Sequence, residues 1–187
     1  MAILERGGIR LRAEITVADL LHAFPREDYE AEPFIRLLTV IGGEMEELGD
    51  SATGRVYGSM SGNIWHLDTE CIEDHGDYVI IAERLSELAQ GDLPLEAIRD
   101  YVDVGEGLAS VSFRLDGREY RWDAAVEDDW VDPTILSKFA ELLATRDATR
   151  RFTYFDLGGQ DCLIGCSTTA ELATLQSGTG LLFTWLS

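Results

Sequence analysis

Leu115-Asp116-Gly117 lies between two runs, 107–114 and 118–125, in which apolar and polar residues alternate. A period of two puts successive side chains on opposite faces of a strand, and Asp-Gly supplies the two left-handed residues of a tight turn. The middle of the chain is therefore committed to an antiparallel hairpin. A helix follows almost at once. Asp132-Pro133 forms a cap and first-turn pair, and Ile135, Phe139, Leu142 and Leu143 recur on one side over 133–145. Any fold for this sequence has to hold a hairpin and an amphipathic helix within forty residues of each other.

The last third reads in the same two periods. RFTYFDL (151–157) and DCLIGCS (161–167) are strands around the turn Gly158-Gly159. TTAELATLQSG (168–178) is a threonine-capped helix with a glycine stop, and LLFTWL (181–186) is a closing strand. Toward the N-terminus, IRLRAEIT (9–16) alternates as a half-buried strand with the arginines outward. A helix over 17–24 would turn Val17, Leu20, Leu21 and Phe24 to one side. The segment 33–48 opens on a proline and repeats Phe34, Leu37, Leu38 and Ile41 at helical spacing, with a break expected at Gly42-Gly43. GDSATGRVYGSMSGN (49–63) reads as a loop or hairpin, NIWHLDTECI (63–72) as a strand. Residues 77–90 read as an amphipathic helix on Tyr78, Ile81, Leu85 and Leu88, with Asp74 or Asp77 as its cap. The expectation is an α+β fold, an antiparallel or mixed sheet with helices packed on it, forming a single domain over 1–187 with a weak sub-boundary near 91–95.

Charge narrows the function classes. Against 15 Lys and Arg stand 35 Asp and Glu, a formal charge of −20. Both 1–94 and 95–187 are acidic, so the charge belongs to a folded surface and not to a tail. Such a surface repels phosphate backbones and anionic lipid, which sets nucleic acid and membranes aside as partners and points to a basic protein surface or a cation. Lys138 is the sole lysine, an arginine bias that suggests a bacterial genome rich in G and C. The N-terminal MAILERGGIRLRAEI has no signal-peptide pattern, and the odd set Cys71, Cys162 and Cys166 suits a reducing, cytoplasmic setting.

Two acidic clusters are the candidate partner-binding residues. DAAVEDDWVD (123–132) sets Asp123, Glu127, Asp128, Asp129 and Asp132 around Trp130, so that the ring would supply buried area and the acids would steer a basic partner. The alternative places Trp130 in the core with Asp132 as a helix cap. HLDTECIEDHGD (66–77) holds Asp68, Glu70, Glu73 and Asp74 as a second patch. On a strand, His66, Asp68 and Glu70 would share a face, and with His75 they raise a metal-dependent hydrolase as an alternative function. Their spacing matches no metalloenzyme motif. Cys162 and Cys166 read as buried, inert thiols, and DLGGQD (156–161) as a turn without the Lys and Ser/Thr of a phosphate loop. The sequence calls for no cofactor and no catalytic residue.

The block GREYRWDAAVEDDWVDPTILSKFAELL (117–143), followed by RRFTYFDLGGQDCLIGC (150–166), resembles immunity proteins of bacterial polymorphic toxin and contact-dependent competition systems. The likeness lies in acidity, length, α+β character and a Trp-and-Asp stretch before a helix. What it implies is a cytoplasmic, non-enzymatic protein that binds a cognate basic toxin and occludes its active site; the sequence itself leaves monomer or homodimer open. A nuclease-like effector is the natural partner. A structural or regulatory interaction module, acidic only for solubility, is the remaining reading.

Overall fold

The computed structural model describes residues 1–43, 59–146 and 149–187. In chain order the elements are α1 (Ala2–Arg6), α2 (Val17–Ala23), α3 (Arg26–Ala31), α4 (Ile35–Gly42), β1 (Ile64–Asp68), α5 (Asp77–Leu88), β2 (Glu96–Asp103), β3 (Leu108–Leu115) and β4 (Arg118–Ala124). They continue with α6 (Pro133–Ala144), β5 (Arg150–Gly158), β6 (Asp161–Thr168), α7 (Thr169–Thr179) and β7 (Thr184–Trp185). The fold is α+β. One sheet runs β1-β6-β5-β7 and the other β2-β3-β4, and every pairing is antiparallel.

The four-stranded sheet separates two cores. Along its central strand β6, Cys162, Ile164 and Cys166 enter one cluster while Leu163 enters the other. The larger cluster joins this face to α5, α6 and the three-stranded sheet through Tyr78, Leu85, Val111, Phe113 and Phe139. Phe113, Trp122 and Phe139 meet there with ring centroids 4.8–5.3 Å apart, each contact contributing roughly 0.5–1.5 kcal/mol beyond its buried area. The smaller cluster lies under α1, α2, α4 and α7, on Leu4, Leu20, Leu38, Ile41 and Leu175. Helix α4 comes so close to β1 that a Cβ on Gly42 would stand 2.9 Å from the His66 nitrogen, so only glycine fits there. Residues 91–95, the expected sub-boundary, connect α5 to β2, and Leu93 is buried in the larger cluster.

The hairpin turn has the expected form, with Asp116 at φ 52° and Gly117 at φ 77°. Thr168 caps α7 in a reciprocal box with Glu171, and Asp132 caps α6. Several expectations are corrected. Residues 9–16 form no strand. Among the described residues their alternation has no partner strand to pair with, and Arg12 turns inward, its amide to Met60 O (2.9 Å) and its guanidinium to Ser59 O (2.7 Å) and Glu87. Of the apolar side of α2 only Leu20 is buried, while Val17, Leu21 and Phe24 are exposed. The last strand shrinks to Thr184–Trp185. Strand β2 and helices α1 and α3 were not foreseen. The break after Gly42 is present, but residues 44–58, with the expected end of the helix and most of the glycine-rich loop, lie outside the described residues.

Candidate functional site

The acidic stretch after β4 begins with a tight turn. Trp130 N donates to Glu127 O at 3.1 Å, and Asp128 takes the left-handed conformation (φ 50°) that aspartate tolerates better than most residues. The stretch then pairs with the segment leaving β1. Val131 N donates to Thr69 O and Ile72 N to Asp129 O, each at 2.8 Å, with Glu70 opposite Trp130 as an isolated bridge. The two candidate clusters, distant in sequence, are thereby laid side by side. Glu70 is drawn out of the strand to do so. It does not continue the His66–Asp68 face, because β1 ends at Asp68, whose carboxylate takes Glu70 N (2.9 Å) and Gln160 Nε2 (3.1 Å).

Asp132 holds this arrangement in place. Its carboxylate accepts from Thr134 N and Ala125 N, both at 2.8 Å, and its own amide donates to the Tyr78 hydroxyl at 3.0 Å. The acidic turn is thus tied at both ends by one buried residue, whose backbone amide also reaches α5. Burial pushes this carboxyl up, but the hydrogen bonds from Ala125 and Thr134 together outweigh it and leave it below the ordinary range. The second patch is anchored likewise. Asp77 accepts the amides of Glu73 (2.7 Å) and Asp74 (2.8 Å), and Asp100 of β2 accepts those of Gly76 (2.9 Å) and Tyr78 (3.0 Å). Asp100 therefore satisfies the start of α5, the task expected of Asp74 or Asp77. Asp74 instead accepts from His75 N at 2.7 Å, a bond that holds its carboxyl below the usual value.

All eight expected partner-binding residues reach solvent. Asp68, Glu73, Asp74, Glu127, Asp128 and Trp130 are exposed, and Glu70 and Asp129 are half-buried. Among the described residues, no arginine or lysine forms an ion pair with Asp68, Glu70, Glu73, Asp74, Glu127, Asp128 or Asp129. Trp130 is 38% exposed, neither a core residue nor a fully offered ring. Trp65 is buried, and Trp122 is partly buried against the larger core.

Beside Trp130 opens a cavity of about 520 Å³, which sequence reasoning did not find. Tyr154 and Cys162 of the central sheet line it, with Leu136 of α6, Trp130 and Thr184 around them. Leu136, Tyr154, Cys162 and Thr184 read as ordinary helix or strand positions and Trp130 as a loop anchor, and no local pattern in the sequence signals a cavity among them.

The histidines do not converge. His66 Nε2 lies 2.9 Å from Asp161 Oδ1, in a separate cleft beside α4, while His75 contacts Asp74 and stacks edge-on against Tyr101, 5.1 Å between centroids. Among the described residues no group of three or more His, Cys, Asp and Glu side chains is placed to hold a metal ion. Cys162 and Cys166 are buried, and burial pushes each thiol up to about 12. No helix among the described residues is long and apolar enough to cross a membrane. Compared with protein-family models, curated proteins and solved structures, the chain matches none of them.

Proposed function

We propose that this is a non-enzymatic binding protein that neutralises a cognate basic protein, acting as an immunity protein whose acidic face covers the active site of a nuclease-like toxin. The supporting observation is the pairing of residues 69–72 with 129–131, which merges two acidic segments into one face. A cleft built for phosphates carries positive potential, and carboxylates held on a rigid backbone can occupy it and steer the approach. Rigidity matters because a preorganised face loses less entropy on binding than a mobile acidic loop. The cytoplasmic setting belongs to this reading.

The candidate partner is the protein encoded beside this chain, and the test is its association rate at about 20 mM and about 200 mM salt, across which the screening length shortens severalfold. Neutralising Asp128 and Asp129 to asparagine together with Glu70 and Glu73 to glutamine should slow association at low salt by roughly tenfold and flatten the salt dependence. An unchanged rate at low salt refutes the role of the face, and no binding refutes the pairing.

A further inference from the structure

Resting on the reading of the acidic face, we propose that the cavity beside Trp130 receives one large apolar side chain of the partner, flanked in the partner's sequence by arginine or lysine. The cavity, about 520 Å³, lies within the roughly 300–1,000 Å³ range of clefts that hold ligands. Leu136, Tyr154 and Cys162 give it apolar walls, and the Tyr154 hydroxyl has no hydrogen-bond partner among the described residues. Glu127 lines its edge, and the same turn carries Asp128 and Asp129, with Glu70 paired opposite Trp130. An apolar well next to a cluster of carboxylates that, among the described residues, no arginine or lysine pairs is complementary to a hydrophobic residue between cations.

A second copy of this chain fits poorly. A two-fold contact through this face would set carboxylates against carboxylates. The partner's anchor, shielded from water by Trp130, would supply the affinity, while the acids would supply the approach and the register. The two contributions are separable, because one depends on salt and the other does not.

The probes are three capped hexapeptides: Arg-Arg-Leu-Phe-Arg-Arg, the same with Gly-Gly at its centre, and Ser-Ser-Leu-Phe-Ser-Ser. Each is titrated into isotope-labelled protein while the amides of Thr69, Trp130, Ser137 and Thr184 and those of residues 70–74 and 127–129 are followed. The first peptide should shift both sets and bind at least about tenfold more tightly than the glycine peptide, the scale expected for burying one large apolar side chain. Thr184→Trp, made at an exposed position on the cavity wall, should reduce its affinity to that of the glycine peptide. Equal binding of the arginine peptides, with shifts confined to 70–74 and 127–129, overturns the cavity and leaves the acidic face standing. Equal binding of the serine and arginine peptides in the cavity overturns the basic flanks. No shift with any peptide overturns the proposal and the reading of the face together.

Discussion

Replacing Asp132 by alanine removes two hydrogen bonds that converge on one buried carboxylate. The helix cap to Thr134 N contributes about 1 kcal/mol. The charge-assisted bond from Ala125 N contributes about 2 kcal/mol, since the donor loses an ionised partner in a part-buried position. The expected loss is therefore about 3 kcal/mol, or a fall of about 1.5 M in the urea midpoint for a slope near 2 kcal/mol/M. Asparagine should cost about half as much, because its oxygen still caps α6 while its amide nitrogen cannot accept from Ala125. Tyr78 is unaffected in either variant, because it accepts from the backbone amide. The folded carboxyl sits below its unfolded value near 3.9, so its stabilisation is complete above that pH and fades as pH falls through the folded value. The gap between wild type and Asp132→Asn should accordingly narrow on acidification below about pH 4. Equilibrium unfolding in urea, followed by far-ultraviolet circular dichroism at several pH values, measures both. A midpoint shift below about 0.3 M for Asp132→Ala, with unchanged slope, would refute the keystone role.

Two further outcomes test the local chemistry. Gly117→Ala places a Cβ at φ 77° in the hairpin turn and should cost about 1 kcal/mol, seen as a drop of about 2–4 °C in Tm; an unchanged Tm would contradict the turn geometry. Cys162 and Cys166, with thiols pushed up to about 12, should stay silent toward a thiol reagent near pH 8 until the protein is unfolded in guanidinium, and rapid native labelling of either would contradict their burial.

Where a signal was local, the sequence was sufficient. Asp116-Gly117 needs no distant partner to form its turn, and Thr168 and Asp132 cap helices three or fewer residues away. The strand read at 161–167 likewise survives, because a short apolar run between turns fits an inner strand buried on both faces. Residues 9–16 carry a good alternation and form no strand, since a strand exists only if another offers it hydrogen bonds, and among the described residues none does there. The same dependence on distant partners governs the site. Composition and spacing alone determined that the chain is acidic, that its carboxylates cluster at 66–77 and 123–132, and that Trp130 stands among one set. Only the tertiary structure decided that Glu70 lies opposite Trp130, that Asp100 and not Asp74 tends the start of α5, and that a cavity opens between α6 and the sheet. Those are contacts between segments far apart in the chain, set by how the layers pack, and periodicity along a single segment carries no information about them.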